Sequence, residues 1–212
     1  SKSITVNPLP LAIGGPSSVC QGLGITLTDA TAGGTWSTSS STVSVALATG
    51  YVTGLSAGTA LISYTTGSGC AATTTVTVNP LPVISGPSAV CIGAGITLTS
   101  APGGTWLSVT PSVAAAGSLT GVITGVATGT TMINYTLPTG CTAGKTITVS
   151  TSPTTILGSS TVCVGNTTTL TDGVPGGVWL SSNPASGTVG SLSGDVTGIA
   201  TGVTTITYSL GT

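Results

Sequence analysis

One sequence pattern of about 72 residues occurs three times along this chain of 212 residues. Cysteines mark it at intervals of 71 and 72 residues, tryptophans at 70 and 73, and tyrosines at 71 and 73. The marker residues are Cys20, Cys91 and Cys163; Trp36, Trp106 and Trp179; and Tyr64, Tyr135 and Tyr208. This period is too long for most solenoid repeats and suits a small β-sandwich, so the sequence predicts tandem copies of one β-domain.

The copies meet at short joints that contain proline. Residues 76–78 alternate as the end of a strand, and the NPLP segment of residues 79–82 cannot continue a β-ladder because proline has no N–H group. The predicted modules are the first module at 9–79, the second module at 80–151 and the third module at 152–212.

Each module contains alternating apolar residues separated by glycine-rich turns, a pattern typical of strands with one buried face. One tryptophan at a fixed place in each repeat is more typical of a core than of an exposed sugar-binding platform. We therefore expect the tryptophan and tyrosine of each module to pack inside it. The predicted core residues are Trp36, Tyr64, Trp106, Tyr135, Trp179 and Tyr208.

Ionisable side chains are almost absent from the chain. So little charge could by itself suggest disorder, but the mean hydropathy of +0.60 favours a folded chain. Two lysines cannot neutralise the several phosphates of nucleic acid or an anionic membrane, so neither is an expected partner. Histidine and glutamate are absent, which leaves no base to activate a serine or threonine. Three scattered aspartates do not form the oxygen cluster that calcium requires. The sequence predicts an all-β protein that is not an enzyme and has no metal or cofactor.

Five regularly spaced cysteines, without a CxxC pair, indicate disulfides formed in an oxidising, extracellular compartment. Bridges within modules would join Cys20 to Cys70 and Cys91 to Cys141. However, five predicted strands separate Cys20 from Cys70, and an odd number of antiparallel crossings ends at the opposite end of the module. The two thiols would then be roughly 20 Å apart, whereas a bridge needs Cα atoms within about 7 Å.

We therefore favour a bridge from Cys20 to Cys141, across the joint between the first two modules. The partners of Cys70, Cys91 and Cys163 would then lie outside the chain or in neighbouring protomers. Bridges within modules and free thiols are the alternatives that stay open.

The first residues match a closing strand. Ile4 and Val6 align with the valines of residues 76–78, which makes residues 1–8 the closing strand of a preceding or neighbouring module. The third module stops before its own closing strand, and by the spacing of the other modules its cysteine would lie two residues past Thr212.

Two explanations of these ends stay open. The chain is a window cut from a longer array, or Ser3, Ile4, Thr5 and Val6 of one copy complete the third module of its neighbour as a donor strand. Both predict that Thr212 lies near a Ser1, and only the second predicts polymerisation of the 212-residue chain. The sequence also lacks a signal-peptide pattern and any run of about eighteen apolar residues that could span a membrane.

The segments GPSSVC, ITLTDA, GGTWSTSS, YVTGLSAGTALISYT and TVTVNP resemble tandem bacterial immunoglobulin-like modules, close to the group 2 pattern, of very large repetitive bacterial surface proteins. The resemblance extends over essentially the whole chain. It implies seven-stranded sandwiches and a role as a stalk, filament or adhesin on the cell surface. The third module departs from the pattern at residues 150–153 and at Thr168, where the other modules have isoleucine.

The patterns predict β-sandwiches in a head-to-tail rod, and the resemblance implies that these sandwiches are immunoglobulin-like. The predicted function is a structural protein that forms an extracellular fibre or bacterial surface stalk, with copies of itself or further repeats as partners. The alternative is an adhesin whose modules bind glycans or a surface. The third possibility is a set of spacer modules from a secreted enzyme.

Overall fold

The computed structural model describes residues 1–210, and every regular element among them is a β-strand. The predicted all-β fold class is therefore confirmed. Strands form where valine, isoleucine and threonine alternate, because branched side chains suit the pleated surface of a sheet. Glycines with positive φ make the turns between them; Gly50, with a φ of 67°, connects two strands of the first module.

The first module folds as two sheets, which contain seven strands in total. Its strands are β1 (Ser18–Cys20), β2 (Gly24–Thr26), β3 (Thr35–Thr38), β4 (Val43–Val45), β5 (Tyr51–Gly54), β6 (Gly58–Thr65) and β7 (Ala71–Asn79). One sheet has the order β1-β7-β6-β3 and the other has the order β2-β5-β4. Only β1 and β7 are parallel; the other pairs of this module are antiparallel.

The second module repeats this arrangement, and the third contains part of it. The strands of the second module are β8 (Ala89–Cys91), β9 (Gly95–Thr97), β10 (Thr105–Ser108), β11 (Ala114–Ala116), β12 (Val122–Gly125), β13 (Gly129–Thr136) and β14 (Thr142–Ser150). Those of the third are β15 (Thr167–Thr169), β16 (Val178–Ser181), β17 (Gly187–Val189), β18 (Asp195–Gly198) and β19 (Ile206–Ser209). The sheet orders are β10-β13-β14-β8 and β11-β12-β9 in the second module, and β15-β18-β17 and β16-β19 in the third.

The chain divides into two compact units. The first unit comprises Ser1–Ser85, Ser100–Thr105 and Asn134–Gly144; the second comprises Gly86–Thr99, Trp106–Ile133 and the residues from Lys145 onward. Every sheet stays within one predicted module, whereas the units divide the second module. The module boundaries therefore stay a prediction, and residues 211 and 212 of the third module lie outside the described residues.

The core of the first module lies between its two sheets. The rings of Trp36 and Tyr64 pack with their centroids 4.8 Å apart, and both residues are buried. The Tyr64 hydroxyl donates a hydrogen bond to the Thr31 carbonyl at 2.6 Å and accepts one from the Gly34 N–H at 2.9 Å. A Cβ at Gly34 would lie 2.5 Å from the Tyr64 ring, so this position requires glycine.

Candidate functional site

The closing strand β7 completes the core of the first module. It pairs antiparallel with β6, where Ala60 is opposite Val76, and parallel with β1, where Val19 is opposite Val78. Val76 and Val78 are 0% and 1% exposed. The strand therefore inserts two apolar side chains between neighbours on both of its edges.

The second module has the same closing strand. There β14 pairs parallel with β8, and Val149 lies opposite Val90. Ile147 and Val149 are 0% and 2% exposed, like the two valines of β7. An inward-facing residue, an outward-facing threonine and a second inward-facing residue thus recur at equivalent positions.

The third module contains an open groove at the place of a closing strand. Residues 161–163 match β1 and β8 in sequence but form no strand, since the described part of this module has no closing strand for them to pair with. The groove has a volume of about 840 Å³, and no charged residue lines it. Its apolar lining includes Val162, Leu170, Val196, Ala200, Val203 and Ile206.

Apolar side chains that are buried in the first module are accessible in this groove. Val162, Leu170 and Ile206 are only half-buried. Their counterparts in the first module are Val19, Leu27 and Ile62, which are 6%, 2% and 0% exposed. The groove is therefore an uncovered part of a sandwich core.

Tyr208 differs from its prediction as a core residue. It is half-buried, whereas the other five predicted aromatic residues are buried. Its counterpart Tyr64 lies opposite Ala72 of β7, and the described residues provide no such strand beside Tyr208. Tyr208 still packs against Trp179, with ring centroids 4.6 Å apart, and its hydroxyl donates to the Val174 carbonyl at 2.6 Å.

The predicted donor segment, Ser3, Ile4, Thr5 and Val6, is exposed and forms no strand. Ile4 is 81% exposed and Val6 is 90% exposed, which is unusual for isoleucine and valine in a strand-forming sequence. The chain becomes anchored just after this segment: Pro10 is buried, and the Leu11 N–H donates to Thr31 Oγ1 at 3.0 Å.

The disulfide joins Cys20, at the end of β1, to Cys141, which precedes β14. Both residues belong to the first unit, and their Cα atoms are 5.6 Å apart. This is the pair that the strand count favours over bridges within modules. Cys70, Cys91 and Cys163 are free; Cys163 is exposed and the other two are half-buried.

Chemical groups for catalysis or stacking are scarce in the described residues. The side chains of Trp36, Trp106 and Trp179 are all buried, so none offers an open face to a sugar ring. Within residues 1–210, no cluster of three or more potential metal-binding side chains occurs. In the same part of the chain, no helix has the length and apolar character needed to cross a membrane.

The short parallel strand that ends at the first cysteine of the first and second modules, β1 and β8, is the feature that sequence analysis did not identify. The three residues of β1 are too few to show an alternation, and parallel pairing to β7 joins segments about 59 residues apart. The recurrence of the SVC, AVC and TVC segments was the available signal.

No protein-family model matches the chain, and no curated protein matches it. Among solved structures, it is similar to the C-terminal 282-residue fragment of intimin in complex with the intimin-binding domain of its translocated receptor. The identity is 19%, the TM-score is 0.51, and the match covers 74% of this chain and 69% of that one. This likeness shows the fold alone, and it agrees with immunoglobulin-like modules; membership of group 2 stays a prediction.

Two further structures are more distantly similar. Domains 4 and 5 of the S-layer protein SbsC match with 18% identity and a TM-score of 0.34, over 67% of this chain and 99% of that one. The human desmocollin-1 ectodomain matches with 10% identity and a TM-score of 0.29, over 91% of this chain and 54% of that one.

Proposed function

We propose that this chain is a structural protein of the bacterial surface or extracellular space whose copies join by strand complementation. Residues 2–7 of one copy fill the open groove in the third module of the next. The observation that supports this most directly is the match between an exposed segment and an uncovered core within one sequence. The disulfide suits an oxidising, extracellular location.

The donor segment closely matches the closing strand of the second module. Residues 2–7 read KSITVN, and residues 145–150 at the end of β14 read KTITVS. Ile4 and Val6 correspond to Ile147 and Val149, both of which are buried. Even Lys2 has a counterpart, Lys145, so a lysine is compatible with this position of a closing strand.

The register of β7 assigns a partner to each donor residue. On the antiparallel side, Ala60 lies opposite Val76 in the first module. Its counterpart Thr204 should therefore lie opposite Ile4 of the incoming strand. On the parallel side, Val19 lies opposite Val78 in the first module, so its counterpart Val162 should lie opposite Val6.

Backbone hydrogen bonds follow from the same register. In the first module, the Thr77 N–H donates to the Ser17 carbonyl at 2.9 Å. The equivalent bond in the complex joins the Thr5 N–H of the donor to the Ser160 carbonyl of the acceptor. Burial of Ile4 and Val6 should stabilise the contact between copies by about 1.5 to 3 kcal/mol for each side chain. Because the donor segment and the groove are different surfaces of the chain, the contact is heterologous, and repeated from copy to copy without ring closure it builds a fibre.

The purified 212-residue chain provides the test. Sedimentation velocity should show species that grow with concentration, and electron micrographs should show fibres. Val6→Asp should abolish growth, because the carboxylate would be buried against Val162. Thr5→Asp is the matched control, since its counterpart Thr77 faces solvent. A monodisperse monomer at every concentration, or equal effects of both substitutions, would contradict the proposal.

An adhesin is the alternative function. The intimin fragment that shares this fold has a receptor domain bound to it, and a receptor or glycan would be the corresponding ligand here. The burial of all three tryptophans favours the structural role over sugar stacking. Neither role needs catalysis, and we propose none, because the chain has no histidine or glutamate.

A further inference from the structure

We propose that Cys163 of one copy forms a disulfide with Cys70 of the copy whose N-terminal segment it receives. The inference rests on the strand complementation proposed above and identifies a covalent bond that follows it. The fibre would then be held together by one such bond at every contact between copies.

The bond within the chain provides the template. Cys20, which is disulfide-bonded to Cys141, lies opposite Asn79 in the parallel pairing of β1 with β7. The first cysteine of one module thus binds the second cysteine of the module that follows. Cys163 is the counterpart of Cys20 in the third module, and Asn7 of the donor segment is the counterpart of Asn79.

Cys70 already lies beside that asparagine. Its Sγ is 3.8 Å from the Asn7 carbonyl oxygen in the same chain. When the donor strand pairs in the register of β7, Asn7 comes opposite Cys163 of the acceptor copy. Because Cys70 lies beside Asn7, the Cys70 thiol of the donor copy is then next to the Cys163 thiol of the acceptor copy. Cys20 and Cys141, the equivalent pair, have Cα atoms 5.6 Å apart, which is the expected separation.

Both thiols are accessible for the reaction. Cys163 is exposed, Cys70 is half-buried, and neither is bonded within the chain. With oxidised glutathione, the Cys163 thiolate displaces one glutathione thiolate and forms a mixed disulfide. The Cys70 thiolate then attacks the Cys163 sulfur and releases the second. Two cysteine thiols are oxidised, one glutathione disulfide is reduced to two glutathione thiols, and the two protons pass to the released thiolates.

Cys91 provides an internal control. It corresponds to Cys20 in the second module. The donor segment, residues 2–7, contains no cysteine that could bond to Cys91. Cys91→Ser therefore removes one free thiol without affecting the predicted bond.

The experiment uses the full chain incubated with oxidised glutathione. Non-reducing gels should show a ladder of covalent dimers and larger species, and peptide mapping should identify the Cys70 to Cys163 linkage. Cys163→Ser and Cys70→Ser should each abolish the ladder, while sedimentation still detects non-covalent assembly. Cys91→Ser should leave the ladder unchanged.

Other outcomes separate the two proposals. Fibres that form while Cys70 and Cys163 remain open to alkylation would overturn the disulfide and leave strand complementation standing. A ladder that disappears in Cys91→Ser, or a linkage between two Cys163 residues, would also overturn it. A chain that stays monomeric in oxidised glutathione overturns both proposals.

Discussion

Cys20 and Cys141 are 121 positions apart in the sequence, yet their Cα atoms are 5.6 Å apart and their sulfur atoms are bonded. Cys20 ends β1, and Cys141 directly precedes β14. Since the loop between them includes most of the first two modules, the bond restricts a large part of the unfolded chain.

Replacing both cysteines, Cys20→Ser with Cys141→Ser, should lower the free energy of unfolding by about 4 to 5 kcal/mol, the entropy cost expected of so long a loop. Thermal unfolding with and without reductant measures the loss. The matched control is Cys91→Ser with Cys163→Ser, which removes two free thiols and should change little. If reductant leaves the midpoints of the wild type and of this control unchanged, the bond is not a stabilising one.

Truncation of equivalent isoleucines should have unequal effects. Ile62 of β6 is fully buried and lies opposite Thr74 of β7, so Ile62→Ala should destabilise the first module by about 2 to 5 kcal/mol. Ile206 is half-buried in the open groove, so Ile206→Ala should cost less in the unassembled chain. Hydrogen exchange of the amides of β6 and β19 reports each module locally. Equal losses would show that the groove is already covered.

The tyrosine hydroxyl should stabilise the first module. Tyr64→Phe removes both the bond to the Thr31 carbonyl and the bond from the Gly34 N–H, which should cost about 1 to 3 kcal/mol because these groups are partly buried. Urea denaturation measures the change. Tyr51→Phe is the control, since Tyr51 is 48% exposed, and a comparable loss there would argue against the hydroxyl bonds.

Acid should weaken the third module through Asp195. Hydrogen bonds from the Thr169 hydroxyl, at 2.6 Å, and from Ser193 lower the pKa of this carboxyl below its ordinary value of 3.8. Because the pKa is lower in the folded state, the ionised carboxyl stabilises the fold when the pH is above the ordinary pKa. This stabilisation is lost as the pH falls through the lowered pKa of the folded state. Asp195→Asn should make the free energy of unfolding depend less on pH over this acidic range. Thr169→Val should do the same, whereas an unchanged acid dependence in both would exclude this role.

Local pattern was sufficient to predict most strands. The alternation and turn glycines around β6 and β7 depend only on neighbouring residues, and the recurrence of one tryptophan and one tyrosine in each repeat indicated the aromatic core of the first module. Strand formation at residues 161–163 depends instead on a partner distant in sequence. The same short motif is a strand in β1 and no strand in the third module, which sequence alone could not distinguish. For the same reason, the partial exposure of Tyr208 was not predicted.

A peptide of residues 1–8, SKSITVNP, should bind the groove when added to the Val6→Asp chain, which cannot supply its own donor strand. The bound peptide would cover Val162 and Ile206 and satisfy backbone groups on both edges of the groove. Amides at 160–164 and 202–206 should therefore gain protection from hydrogen exchange, while those of β6 stay unchanged. The same peptide with aspartate in place of Val6 is the control. Protection that is equal with both peptides, or absent with both, would show that the groove does not select the inward-facing valine and would remove the physical basis of the fibre.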